Sequence, residues 1–199
     1  MKIIKNSFEG VKVAAEILKE NGVVAFPTET VYGLGANAFS QEAITKVFKI
    51  KRRPSFNPLI IHVSSFDMAK EYGVLNDLAK KLTQEYWPGP LTIIIPTSEK
   101  SKSVLSSSDF TLGLRIPNST MAKFLIKESG PLLTSSANLS GRPSATISKD
   151  ISIDLPNVDI LGPVPWEKCS GKASTIIYWR SYRKWETIRK GQVFIPGIK

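Results

Sequence analysis

The apolar residues of the N-terminal half follow two different spacings. Between Ser7 and Gly22 they recur every three or four residues, which predicts an amphipathic helix capped by Ser7. Residues 23–26 and 59–63 are instead short continuous apolar runs, typical of strands buried on both faces. Helical spacing returns from Ser40 to about residue 50 and again over residues 75–86.

The C-terminal half contains more strands and fewer helices. Apolar runs predict strands at residues 91–95, 112–116, 131–134, 158–161, 174–179 and 185–188, with one helix after Asn118 or Ser119. Segments 27–35 and 135–144 are expected to be loops, and the serine-rich segment 98–108 a mobile surface loop. Strands alternating with helices predict an α/β (α+β) fold. Its helix-poor end favours antiparallel strands, so the sheet should be mixed and flanked by helices.

Composition narrows the class of protein. The chain has 199 residues, of which 42% are hydrophobic and 22% charged, and no linker interrupts it, so we expect one globular domain over residues 1–199. Its single cysteine, Cys169, and single histidine, His62, exclude an internal disulfide framework, a cysteine-rich zinc site and a histidine cluster. No apolar run is long enough to cross a bilayer and no secretory signal is visible, so a cytoplasmic location is expected.

The charge points to an anionic partner. The net charge is +10, and the cations cluster at residues 49–53 and 180–190. Such an excess suits nucleic acid, nucleotide phosphate or an acidic surface. A solvated lysine-rich surface is the alternative.

Three polar segments follow predicted strands or helices, where ligands of such sheets often bind. Segment 27–35 offers hydroxyls and two glycines, segment 51–59 offers cations beside prolines, and segment 134–144 offers small hydroxyl residues. From composition alone, segment 27–35 is equally an ordinary turn. Segment 51–59 favours phosphate binding over a solvated helix end, and segment 134–144 slightly favours an ordinary polar loop. Arg115, in an apolar run, needs a partner or a ligand, and His62 reads as a core histidine.

No nucleophile–base pair is apparent: there is no Ser-His-Asp triad unless His62 itself serves in one, and no G-x-S-x-G elbow occurs. The pattern therefore favours chemistry by positioning and charge stabilisation, as in phosphoryl or nucleotidyl transfer.

Five motifs in series carry a resemblance to a known family. The chain reads PTET-x-YGLG at 27–35, K-x-R at 51–53, W-P-G-P-L-T at 87–92, L-G-x-R-x-P at 112–117 and S-A-N-x-S-G at 136–141. Together they resemble the YrdC-like family of L-threonylcarbamoyl-AMP (threonylcarbamoyladenylate) synthases, in its short single-domain form. The match covers roughly residues 10–190. One departure is Arg52, where small residues are common in the family.

The resemblance implies a fold and a reaction. The fold would be a twisted mixed parallel and antiparallel sheet flanked by helices, with a basic concave face. A nucleotidyltransferase would join L-threonine, bicarbonate or CO2, and ATP into L-threonylcarbamoyl-AMP and pyrophosphate. A partner transferase complex would then place the threonylcarbamoyl group on tRNA. Residues 1–199 would form the catalytic domain, and the C-terminal extra domain of longer members would be absent.

The resemblance also implies roles for individual residues. Lys51 and Arg53 would be the catalytic pair, contacting the phosphates from a solvent-facing cleft. Threonine would be held by Thr30, Tyr32, His62, Arg115 and Ala137. ATP would be held by Lys51, Arg53, Asn57, Thr111, Ser135, Ser136, Asn138, Ser144 and Arg189. Mg²⁺ would arrive with ATP, without metal ligands from protein side chains.

Two other functions compete with this one. A non-catalytic module for double-stranded RNA or tRNA would use the basic face and the aromatic residues Tyr178, Trp179, Tyr182 and Trp185. A carbamoyl-adenylate-forming domain, like that of hydrogenase-maturation carbamoyltransferases, would use carbamoyl phosphate and need no threonine.

Overall fold

A computed structural model of the chain describes residues 1–52, 60–104, 111–162, 169–181 and 184–198. In these ranges the chain forms ten strands and seven helices. In order they are β1 (Ile3–Lys5), α1 (Phe8–Lys19), β2 (Val23–Phe26), β3 (Gly33–Asn37), α2 (Gln41–Lys51), β4 (Ile60–His62), α3 (Phe66–Tyr72), α4 (Asp77–Tyr86), β5 (Leu91–Pro96), α5 (Glu99–Val104), β6 (Thr111–Arg115), α6 (Thr120–Ser129), β7 (Leu132–Ser136), α7 (Ser148–Asp154), β8 (Asp159–Gly162), β9 (Thr175–Ser181) and β10 (Lys184–Arg189). None of the described helices is long and apolar enough to span a membrane.

All ten strands form one mixed sheet, in the order β1-β8-β2-β3-β7-β4-β6-β5-β9-β10. β4 is parallel to β6 and antiparallel to β7, while β2 is parallel to β8 and antiparallel to β3. The predicted mixed sheet flanked by helices is therefore confirmed. Two late segments of the chain, β7 and β8, are inserted between early strands.

Helices cover the sheet because their apolar faces match its apolar positions. On the half from β1 to β7, α1 and α6 pack on one face, and α2 and α7 pack on the other. The predicted caps form: Ser7, Ser40 and Ser119 each accept a hydrogen bond from the backbone N–H three residues later. Each such cap satisfies one of the free amides in the first turn of its helix.

The half from β4 to β10 has an apolar face and a polar face. Side chains alternate along a strand, so neighbouring residues lie on opposite faces. Ile61, Leu112, Leu114 and Leu133 lie in the core cluster that includes residues of α3 and α4. The strand register places the intervening residues on the other face together: His62 of β4, Thr111 and Arg115 of β6, and Thr134 and Ser136 of β7.

Two predicted loops contain regular structure. β3 begins at Gly33, inside the segment expected to be a loop, because two glycines hide the usual strand pattern. α5 occupies residues 99–104 of the segment expected to be mobile, and Ser101 is buried there, donating to the Tyr72 carbonyl. β1, α3 and α7 were not predicted, since each has only three or seven residues.

The glycines of β3 make room for an aromatic ring. A Cβ atom at Gly35 would lie 2.7 Å from Cε1 of Phe26, and one at Gly33 would lie 3.2 Å from its Cζ. Any larger residue at either position would displace the ring. Phe26 thus reaches across β3, and its ring centroid lies 6.4 Å from that of His62 on β4.

Candidate active site

Arg115 is a buried cation at the end of β6, with 4% of its surface exposed. Its Nη2 donates to Oε1 of Glu29 at 2.6 Å and to Oγ1 of Thr30 at 3.0 Å. Its Nε donates to the carbonyl of Gly89 at 3.1 Å. Nη1 has no hydrogen-bond partner among the described residues. The fork of Arg115 is therefore fixed on one side and available on the other.

The W-P-G-P-L-T segment supplies the carbonyl that fixes Arg115. The Trp87–Pro88 peptide bond is cis, and Nε1 of Trp87 donates to the Leu91 carbonyl at 2.7 Å. The Gly89 N–H in turn donates to the Ile116 carbonyl at 2.9 Å. Gly89 thus bonds both the Arg115 side chain and the backbone of the next residue, which gives this motif a structural role.

Hydroxyls within the PTET loop hold its shape. Oγ1 of Thr28 donates to the Val31 carbonyl at 2.7 Å and accepts from the Thr30 N–H at 3.2 Å. The two threonine hydroxyls lie 2.9 Å apart. Thr28 and Thr30 are both buried, so these bonds satisfy polar groups that water does not reach.

A segment from much later in the chain runs alongside this loop. The N–H of Ser170 donates to the Glu29 carbonyl and that of Gly171 to the Thr30 carbonyl, both at 2.9 Å. Sγ of Cys169 lies 3.2 Å from the Thr28 carbonyl, and burial raises the pKa of this thiol. Residues 169–171 therefore form a strap that holds the PTET loop in place, and Cys169 is a neutral part of it.

His62 faces Arg115 directly across the β4–β6 register. Its side chain is buried, and neither ring nitrogen has a hydrogen-bond partner within the described part of the chain. Burial holds the pKa of His62 well below its ordinary value, and the nearby positive charge of Arg115 lowers it further. The expectation of a core histidine is right about burial, but the ring is neutral and its polar atoms are unpaired.

Unpaired polar atoms therefore gather at the Arg115 end of the sheet. Besides the nitrogens of His62, Oε2 of Glu29 is buried without a partner among the described residues. Leaving a buried polar group unpaired costs about 1–3 kcal/mol. A polar ligand that reached these atoms would recover that free energy.

Lys51 forms a second buried cationic centre. Its side chain is 2% exposed, and its Nζ donates to the carbonyls of Ser136 and, at 2.6 Å, Asn138. The N–H of Ser140 donates back to the Lys51 carbonyl at 3.2 Å. The solvent-facing position expected of Lys51 is wrong. It lies at the C-terminal end of α2, below the S-A-N-x-S-G loop, and its ammonium holds that loop to the helix.

Asn138 orders the same loop. Its Nδ2 donates to the carbonyls of Leu139 and Arg142 at 2.8 and 2.7 Å, and its buried Oδ1 has no partner among the described residues. The N–H of Ala137 donates to the Tyr32 carbonyl at 2.8 Å, which joins this loop to the YGLG segment.

The side chain of Tyr32 lies away from Arg115, contrary to expectation. Its ring is buried in the cluster containing residues of α2 and α7, on the opposite face of the sheet from His62. Desolvation raises the pKa of its hydroxyl, which is neutral and unpaired among the described residues. The backbone of Tyr32 positions the loop, but its ring does not line a pocket with Thr30.

The remaining predicted ATP residues are placed as follows. Ser136 and Thr111 share the face of Arg115, whereas alternation puts Ser135 on the opposite face of β7. Ser144 is half-buried in the loop between β7 and α7. Arg53 and Asn57 lie outside the described residues, so their roles stay predictions.

Arg189 is linked to the sheet face that carries Arg115 by hydrogen bonds through the hydroxyls of Ser174 and Thr92. Its Nε and Nη2 donate to the carbonyl and hydroxyl oxygens of Ser174, both at 3.0 Å. That hydroxyl lies 2.9 Å from Oγ1 of Thr92, which shares the face of Arg115 on the neighbouring strand. The placement of Arg189 beside the site is therefore consistent with its predicted role.

Magnesium was expected to arrive with ATP. Among the described residues, no group of three or more His, Cys, Asp or Glu side chains could hold a metal ion. Mg²⁺ is often held by substrate phosphates with few protein ligands, and its arrival with ATP stays a prediction.

Sequence reasoning missed three parts of the site: Glu29, the carbonyl of Gly89 and the strap at 169–171. Glu29 had a detectable signal, since it is the one acidic residue in a motif otherwise made of hydroxyls and apolar groups. The strap acts through its backbone, which leaves no side-chain signature.

Comparison with known proteins decides the family. The family model for Sua5, YciO and YrdC, described as "Telomere recombination", matches residues 16–191. The chain belongs to the Sua5/YciO/YrdC family. The family predicted from the five motifs is thus confirmed.

Relatives within the family support this at sequence level. A protein of Bacillus subtilis named threonylcarbamoyl-AMP synthase is 45% identical over 145 residues, which is 71% of this chain and 42% of that protein. One of Methanocaldococcus jannaschii, named putative threonylcarbamoyl-AMP synthase, is 39% identical over 185 residues, covering 88% of this chain and 86% of that protein.

A solved structure supports the family assignment through its fold. Pyrococcus abyssi Sua5, complexed with L-threonine, superposes with a TM-score of 0.87 at 36% identity, covering 96% of this chain and 58% of that one. The chain spans less than half the length of several relatives that it matches, including those of B. subtilis and P. abyssi.

Lys51→Met is expected to destabilise the fold. The variant keeps the length of the side chain but removes two charged hydrogen bonds, each worth about 1.5–3 kcal/mol. The free energy of unfolding should therefore fall by at least one such amount in urea titrations. Lys49→Met, on the exposed face of the same helix, is the matched control and should change stability by less than about 0.5 kcal/mol. Equal stability of the two variants would show that the Lys51 hydrogen bonds do not stabilise the fold.

His62 is expected to make stability depend on pH below about 6.5. The unfolded state takes up a proton there that the folded state, with its lowered pKa, does not. Stability is therefore fully present above this pH and falls by about 1.4 kcal/mol per unit below it. Urea unfolding of wild type and His62→Gln at pH 7.5, 6.5 and 5.5 isolates this contribution. A difference between the two proteins that stays constant with pH would refute it.

Proposed function

We propose that the chain is a nucleotidyltransferase that converts L-threonine, bicarbonate or CO2, and ATP into L-threonylcarbamoyl-AMP and pyrophosphate. The product would serve tRNA processing, with a separate transferase moving the threonylcarbamoyl group to the tRNA in the cytoplasm. The main support is the group formed by Arg115, Glu29, Thr30 and His62. The PTET and L-G-x-R motifs bring the first three together, and the strand register places His62 opposite Arg115. Arg115, Thr30 and His62 are buried. Relatives named threonylcarbamoyl-AMP synthase, and a Sua5 complexed with L-threonine, support the choice of substrate.

The geometry suits an amino acid with a hydroxyl side chain. The available Nη1 of Arg115 would bind the carboxylate, because a charged N–H donor forms a strong hydrogen bond with a carboxylate oxygen. The neutral ring of His62 presents one donor and one acceptor, which suits a hydroxyl. The hydroxyl of Thr30 is hydrogen-bonded to Arg115.

The reaction would proceed in two steps. The threonine amine first forms a bond to the carbon of bicarbonate or CO2, giving a carbamate. A carbamate oxygen then attacks the α-phosphorus of ATP, and the bond to pyrophosphate breaks. The protein would contribute orientation and electrostatic stabilisation, which are the main sources of catalysis in phosphate chemistry.

The nucleotide would bind along the same face towards β7. Ser136 and Thr111 lie on that face, which supports this part of the proposal. Arg53, Asn57 and Arg189 are assigned to the nucleotide by the family resemblance alone. Mg²⁺, when bound with ATP, would neutralise phosphate charge. Lys51 would act from beneath the S-A-N-x-S-G loop by holding that loop's backbone in position.

The alternative of a non-catalytic RNA-binding module receives less support. Of the aromatic residues that it would use, Trp185 is buried in the core and Trp179 packs against it. Tyr178 contacts the guanidinium of Arg180, and Tyr182 lies outside the described residues. Two of the four side chains therefore have packing roles that leave little surface for bases.

The decisive experiment is mass detection of the product. The chain is incubated with L-threonine, bicarbonate, ATP and Mg²⁺, and threonylcarbamoyl-AMP and pyrophosphate are measured. Formation of both supports the proposal. Pyrophosphate release that depends on carbamoyl phosphate and not on threonine would favour a carbamoyl-adenylate domain. RNA binding without any product would favour the module.

Serine is expected to be a poor but real substrate. It shares the amine, carboxylate and hydroxyl of threonine, so polar contacts cannot separate the two. The missing methyl is worth about 1–3 kcal/mol, or ten- to two-hundred-fold in kcat/KM. Phe26 and Leu132, the apolar neighbours of His62, would supply this packing. Alanine should be worse than serine, because losing the hydroxyl leaves polar groups unpaired. Pyrophosphate release with the three amino acids checks the order, and a preference for alanine over serine would contradict it.

A further inference from the structure

Only one of the two carboxylate oxygens of Glu29 has a hydrogen-bond partner among the described residues. Oε1 accepts from Nη2 of Arg115 at 2.6 Å, while the buried Oε2 has no partner among the described residues. The side chain is 14% exposed, so little water can compensate. A half-satisfied buried carboxylate is costly unless a donor completes it.

The missing donor is best supplied by a ligand. Within the described part of the chain, Arg115 is the one cation paired with Glu29, and it uses the other oxygen. His62 is neutral because burial holds its pKa well below the ordinary value. Glu29 and Arg115 together present a negative and a positive group side by side. A zwitterionic α-amino acid carries the complementary pair, an ammonium and a carboxylate on one carbon.

We propose that Oε2 of Glu29 binds the ammonium group of the amino acid substrate and accepts one of its protons. The inference rests on the proposed function and adds the group that prepares the amine for attack. The free amine then forms the N–C bond to bicarbonate, while the hydroxyl of bicarbonate leaves as water with a second amine proton. The carboxyl group of Glu29 afterwards releases its proton to solvent.

Other titratable groups near the site are poorly suited to this task. Burial holds the pKa of His62 well below its ordinary value, so its neutral ring is a weak proton acceptor. The thiol of Cys169 and the hydroxyl of Tyr32 are neutral, since burial raises the pKa of each. Cys169 also lies against the Thr28 carbonyl, and the ring of Tyr32 lies on the other face of the sheet. Glu29 combines a negative charge, a fixed position and an unpaired oxygen.

The first test is binding by calorimetry, without turnover. In Glu29→Gln the amide oxygen can still accept from Arg115, but an NH2 group replaces the acceptor for the ammonium. Affinity for L-threonine should fall about ten- to a hundredfold, the value of one charged hydrogen bond. Affinity for 3-hydroxybutanoate, which lacks the amine, should be almost unchanged. An equal loss for both ligands would mean that Glu29 only positions Arg115, and would overturn the proposal.

The second test is the pH profile of kcat/KM for L-threonine. In wild type the ammonium form is the one bound, so the profile should be flat between about pH 6 and 9. Glu29→Gln must take the rare free amine from solution, so its kcat/KM should rise about tenfold per pH unit until the ammonium titrates. A ratio of the two proteins that stays constant with pH would contradict the role in proton transfer.

Two further variants separate the proposed role of Glu29 from a loss of folding. Glu29→Asp keeps the charge and should retain the flat profile, even with lower activity. Glu42→Gln removes a surface carboxylate that pairs with Lys46, and should leave binding and stability nearly unchanged. If Glu29→Gln does not fold, a profile of Glu29→Asp that rises with pH overturns the proposal. Wild type that does not bind L-threonine would refute the proposed function, whereas equal binding by wild type and Glu29→Gln would refute only this inference.

Discussion

The burial of Arg115 constrains the arrangement of the whole site. Taking a guanidinium out of water costs several kcal/mol unless a counter-ion and hydrogen bonds compensate. The chain meets this cost with Glu29, Thr30 and the carbonyl of Gly89, which come from segments separated by about 60 residues. The PTET, W-P-G-P-L-T and L-G-x-R motifs are therefore parts of one ion-pair network, and none of them has its function alone.

Lys51 repeats the same principle at the other end of the site. Its ammonium is compensated by backbone carbonyls, so it shapes a loop, whereas Arg115 keeps one nitrogen free for a ligand. The two buried cations divide the tasks of the site accordingly. Lys51 fixes the backbone on which a nucleotide would rest, and Arg115 would bind a small anionic group.

Much of the fold could be predicted from the sequence, but the site only in part. Helices such as α1 and α6 have clear caps and apolar faces, so their periodicity identifies them. β3 was not predicted because its glycines leave space for the ring of Phe26. This is a tertiary contact that the local sequence pattern does not show. Arg115 was identified by its motif and His62 by the family resemblance, and strand register brings them together. The depth of Lys51 and the orientation of Tyr32 were not predictable, since both depend on which side of the sheet a helix packs.

The strand order has a consequence for how the chain is synthesised. β3 and β4 are separated in the sheet by β7, and β1 is joined to β2 only through β8. Until about residue 136 has emerged, β3 and β4 each have an open hydrogen-bonding edge, and β1 waits until about residue 162. Open edges of this kind are sites of unwanted pairing between chains. The sheet, and with it the register of His62 and Ser136, closes only when the C-terminal half of the chain is present.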